Sequence, residues 1–172
     1  MAFEASADKT EEAHHFLLLM RVAELPPDDG GVPVRLQGEA AFRFVFSAFL
    51  GATRAVLYLL QEEGTRLPGF TRWYVTARER FMRGEFATFF GDRREFRLIF
   101  PNYMLDVRMA PPELPPPRIG PASPVQLPVV DVMDHLGQVR FEDRPDRAAT
   151  ELCARYLQQM VQLVDQARQL AS

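Results

Sequence analysis

From about Leu36 to Glu63 the apolar residues Phe42, Val45, Phe46, Phe49, Ala52, Val56, Leu59 and Leu60 recur at spacings of three and four. That rhythm belongs to an α-helix with one broad apolar face. At about 1.5 Å per residue such a helix is about 40 Å long, the height of a small domain. Gly64 follows its last turn, where a C-terminal glycine cap belongs, and Pro68 blocks continuation. A helix this apolar on one side has to be covered, so the rest of the chain is expected to supply helices that line up along it.

The remaining segments provide them. Met1 to Ala7 read as a loose end, and Asp8 or Thr10 can cap a helix starting near Glu11. Its stripe is Ala13, Phe16, Leu17, Met20 and Ala23, and Pro26 to Gly31 break the chain after it. A third helix is expected to begin between Pro68 and Thr71, with Phe70, Trp73, Tyr74, Ala77 and Phe81 inward and Gly84 at its end. A fourth is expected from about Glu85 to Phe100, because Phe86, Phe89, Phe90, Phe96 and Phe100 line one face and Pro101 restricts the residue before it.

Composition changes next: eight of the eighteen residues from Pro111 to Pro128 are proline, a density that neither helix nor sheet tolerates. The stretch reads as a stiff surface strap, or as a polyproline ligand. Val129 to Met133 and Gln138 to Phe141 read as two short strands joined by Asp134 to Gly137. A last helix is expected from near Asp146, with Ala149, Leu152, Cys153, Tyr156, Leu157, Met160, Val164 and Ala167 inward. The expected fold is therefore all-α: an up-and-down four-helix bundle with an additional C-terminal helix and a small β-hairpin, in one domain over residues 1–172.

A formal net charge of −3 argues against bulk electrostatic coating of nucleic acid or membrane. The single cysteine excludes an internal disulfide and any multi-cysteine zinc site. There is no leader-like N-terminus and no uninterrupted apolar run of membrane-spanning length, so a cytoplasmic protein without membrane contact is expected. Lys9 is the only lysine among twenty basic residues. Codon bias explains that, as does selection for guanidinium groups that grip phosphate or carboxylate.

Residues able to do chemistry are few. Glu11-x-x-His14 and Glu12-x-x-His15 have the spacing used by di-iron bundles, but the two pairs diverge by about a hundred degrees on one helix and cannot share an ion. Asp131 and His135 lack further ligands. Cys153 falls inside an apolar stripe, where a buried inert thiol is the ordinary outcome. No Gly-rich phosphate loop and no Gly-x-Ser-x-Gly elbow occurs. No metal, cofactor or catalytic residue is assigned, and the balance leans against an enzyme.

Residues 89–100 carry more. On a helix Arg93 sits at the centre of the phenylalanine stripe, with Arg97 beside it and Arg94 at the edge. An arginine on an apolar face needs an internal acid, a route to water for its head, or a partner surface. From Arg72 to Arg97 seven arginines face four acids, a local +3 interleaved with aromatics. Arg93, Arg94, Glu95 and Arg97 are the candidate binding residues.

Phe46-Ser47-Ala48-Phe49-Leu50, Ala52-x-x-Ala55-Val56, Phe70-x-x-Trp73-Tyr74 and Phe89-Phe90-x-x-Arg93-Arg94-Glu95-Phe96, with Leu152-Cys153-x-x-Tyr156-Leu157 near the end, resemble bacterial HEPN-like helical-bundle proteins. In catalytic members of that superfamily an Arg, a polar neighbour and a His a few residues on meet across a dimer interface and cut RNA. Arg94 and Glu95 correspond to the first two, but Ile99, Phe100 and Pro101 stand where the His belongs. Without imidazole the site has no neutral-pH proton carrier. The resemblance thus implies a non-catalytic homodimer that acts through self-association or a protein partner. The alternative is an RNA- or nucleotide-binding member, related to the ribonucleases, that uses the arginines.

Overall fold

A computed structural model of the chain describes residues 2–26, 36–91, 95–101, 104 and 138–171. Its helices are α1 (Glu4–Ala23), α2 (Gly38–Gly64), α3 (Phe70–Met82), α4 (Glu85–Gly91) and α5 (Ala149–Leu170), and its strands are β1 (Leu98–Ile99), β2 (Arg140–Phe141) and β3 (Arg144–Ala148). The molecule is mostly helical, with a small three-stranded antiparallel sheet in the order β1-β2-β3.

The apolar periodicity of α2 does what its spacing demands. Phe42, Phe46, Phe49, Ala52, Val56 and Leu60 are all buried, and α1 packs along them through Ala13, Leu17, Met20 and Ala23. The two helices are antiparallel, because both ends are tied. Gln37 before α2 donates from Nε2 to the Pro26 carbonyl (3.1 Å) after α1. At the other end Glu63 accepts from the backbone N–H groups of Ala5 and Ser6 (2.9 Å each) and from the Ser6 hydroxyl.

That carboxylate corrects the expectation of a loose N-terminus. Helix α1 begins at Glu4, not near Glu11, because a side chain from 57 residues away satisfies its first free N–H groups. Phe3 is buried against Phe70, their rings 5.5 Å apart.

Gly64 also plays a different part from the expected cap. It belongs to α2, which closes through Thr65 in a right-handed conformation, and the left-handed glycine is Gly69 (φ 78°), just before α3. What Gly64 provides is proximity: a Cβ there would run into the Phe70 ring. Gly64→Ala is therefore expected to destabilise the fold by about 1–3 kcal/mol despite alanine's better helix propensity. Urea denaturation measures it, and the loss should shrink in a Phe70→Leu background.

The expected fourth helix ends early, at Gly91 rather than Phe100. Over residues 95–100 exposure alternates, with Phe96, Leu98 and Phe100 turned inward and Glu95, Arg97 and Ile99 outward. This period of two belongs to a strand, and Leu98 and Ile99 pair with Phe141 and Arg140. The expected first strand (129–133) and its loop (134–137) lie outside the described residues. The hairpin that is described joins β2 to β3 through Glu142 and Asp143, so the last helix starts at Ala149, three residues after the expected Asp146. β3 tolerates Pro145 because it is an edge strand.

Phe141 on β2 sits among rings of Phe46, Phe89, Phe90 and Phe96, at 5.6, 5.0, 5.8 and 5.6 Å between centroids, and Tyr156 of α5 stacks on Phe90 at 4.9 Å. These separations fall within the range of favourable aromatic pairs. Arg144 ties β3 to α4 through Glu85 (2.6 Å).

Candidate interaction surface

Arg93 and Arg94 lie outside the described residues. Glu95 and Arg97 are described, and both point to solvent from the strand-like segment rather than from a helix face. Arg97 is 86% exposed, its head 3.6 Å from Glu142, while its carbonyl accepts the Glu142 N–H (2.9 Å). So Arg97 is not an arginine on a greasy helix; its charged neighbour is Glu142, on the open surface.

His14 and His15 are exposed on α1. Among the described residues no three His, Cys, Asp or Glu side chains come together as a metal set. A shallow groove of about 200 Å³ between α3 and α5 is lined by Arg80, Phe81, Gln159, Gln162 and Leu163. It is smaller than the usual ligand pocket and has no acid or base facing Arg80.

One carboxyl escaped the sequence reading. Glu24, at the C-terminal end of α1, accepts a hydrogen bond from the Val139 N–H (3.0 Å) and one from the Thr150 hydroxyl (3.3 Å) in the first turn of α5. Burial pushes it up to about 7, against the opposing pull of those two donors and of the Arg21 guanidinium. Cys153 beside it is fully buried, and burial together with the Glu24 charge holds its thiol well above the ordinary value. A titratable carboxyl near neutrality fits acid–base work, but this one is engaged in clasping α1 to Val139, just before β2, and to the first turn of α5. Burial pushes Tyr156 likewise, to about 12.

The exposed side of α2 is the largest departure from an ordinary surface. Phe44 is 76% exposed and Tyr58 64%, and between them on the same face stand Ser47, Ala48, Gly51 and Ala55. From Phe44 to Tyr58 the face runs for about 21 Å. A Cβ on Gly51 would meet nothing within 4 Å among the described residues. Glycine in a helix interior costs about 1 kcal/mol relative to alanine, and no described contact within the chain requires it. By length and composition α2 also suffices to cross a membrane, although its opposite face is the core of this fold. Sequence periodicity located this helix, but it read only the covered face.

Comparison with family models, with curated proteins and with solved structures finds no match to this chain.

Proposed function

We propose that the chain is a non-catalytic, HEPN-like helical-bundle protein, with its main helices running up and down, that works by self-association or by binding a protein partner. The observation that carries this reading is the apolar outer face of α2, with Phe44 and Tyr58 in water. Large aromatics are enriched at the centres of interfaces, and a contiguous exposed apolar face is the ordinary mark of one. The up-and-down arrangement is supported by the ties between helix ends: Glu63 to Ser6 for α1 and α2, and Glu24 to Thr150 for α1 and α5.

Sedimentation velocity over a wide concentration range tests the proposal. We expect reversible dimerisation that Phe44→Glu weakens at least tenfold while circular dichroism of the monomer is unchanged. A strict monomer at high concentration would count against self-association. The alternative, an RNA- or nucleotide-binding protein, is supported by the exposed arginines Arg72, Arg78 and Arg80 of α3 and Arg83 just after it. Salt-titrated RNA binding separates the two, since phosphate contacts weaken steeply with salt.

A further inference from the structure

We infer that a second copy of this chain packs antiparallel on the exposed face of α2, the two helices crossing at Gly51 on a two-fold axis. This rests on the self-association reading and specifies its surface, partner and sense.

The face is symmetric in kind about Gly51 at four and seven residues to either side, while Ala48 is mirrored by Arg54 on the flank. Phe44 lies seven residues before it and Tyr58 seven after, while Ser47 lies four before and Ala55 four after. In an isologous contact residue i meets j and j meets i. An antiparallel second copy centred on Gly51 therefore sets aromatic against aromatic and small against small, each twice. Between these pairs the two backbones meet at the one position of the face without a side chain. Close approach of another backbone is a standing reason for glycine inside a helix, and no described contact within the chain supplies one.

Charge agrees with this sense. In the antiparallel arrangement Glu62 of the second copy arrives at Ala40, in the first turn of α2, where the helix dipole favours an anion. Arg43 is one turn further along, on the flank of the same face; it pairs with Glu39 at 2.8 Å and keeps 48% of its side chain exposed, so Glu62 reaches it as a second carboxylate.

Site-directed cross-linking of the full chain tests sense and surface together, with Cys153 fully buried and the wild type as control. Gly51→Cys is expected to form a disulfide-linked dimer on oxidation. With a short bis-maleimide, Phe44→Cys and Tyr58→Cys are each expected to give little dimer alone and abundant dimer when mixed. That mixed pair keeps Gly51, so it decides the matter even where a side chain at 51 holds the helices apart. Gly51→Leu is expected to weaken dimerisation at least tenfold with the monomer's helicity retained. Three results overturn the inference. A dimer in which Phe44→Cys links to itself is parallel, and a dimer that no α2 position cross-links uses another surface; both leave self-association standing. A monomer at every concentration removes self-association as well, and leaves the face to a different occupant.

Discussion

Phe141→Ala is expected to lower the free energy of unfolding by about 3–5 kcal/mol, the range for deleting a fully buried phenyl ring. Phe141 is 0% exposed, and its ring meets others from α2, from α4 and from the segment that leads into β1. The alanine cavity cannot easily collapse, because its walls belong to separate elements, each held elsewhere. Phe46 is fixed in α2, and Phe90 is stacked on Tyr156. Phe141→Leu keeps most of the volume and should cost less than half as much. Urea unfolding followed by far-ultraviolet circular dichroism gives both values. A loss below about 1 kcal/mol for the alanine variant would mean that the sheet does not anchor the core.

The second large effect is a pH dependence. The carboxyl of Glu24 titrates near 7 in the folded protein against 4.5 for an unperturbed glutamate. A group whose folded value is raised binds its proton more tightly when folded. Its stabilisation is fully present below about pH 4.5 and is lost as pH rises through about 7. At about 1.4 kcal/mol per unit the wild type should lose about 2–3 kcal/mol between about pH 5 and about pH 8 through this group. Glu24→Gln removes the ionisation and keeps an acceptor for the Val139 N–H, so its stability should change far less over the same interval. The neighbouring thiol of Cys153 does not reproduce that window, because burial pushes it upward. Equal pH profiles for the two proteins would show that Glu24 is already ionised and solvated in the fold.

The sequence marked the helices wherever one side of them is core. The inward residues named for α2, α3 and α5 are in place because burial at spacings of three and four leaves little freedom of register. It failed where the signal was short or came from elsewhere in the chain. Five phenylalanines in a row of arginines imitated a helical stripe over residues 85–100, although Phe96, Leu98 and Phe100 already alternated with polar or exposed neighbours. Arg144, Pro145, Asp146 and Arg147 look unlike a strand, and only an edge position makes them one. The start of α1 depends on Glu63, and no local reading of residues 1–10 can foresee a carboxylate that arrives from the end of another helix. The outer face of α2 was hidden for the opposite reason. Periodicity reports which side of a helix is greasy, and Phe44 and Tyr58 sit on the side that the pattern assigns to water.

The molecule also carries its own optical gauge. Trp73 is the single tryptophan of the chain, half-buried with its ring 5.4 Å from Phe70, at the end of α2 where Phe3 and Tyr74 also gather. The rings around Phe141 contact α2 near Phe46, some four to five turns away along that helix. Indole emission therefore watches one pole of the protein while the phenylalanine-rich pole stays dark to it. Comparing its red shift with the loss of helical ellipticity shows whether the two poles let go together or one after the other.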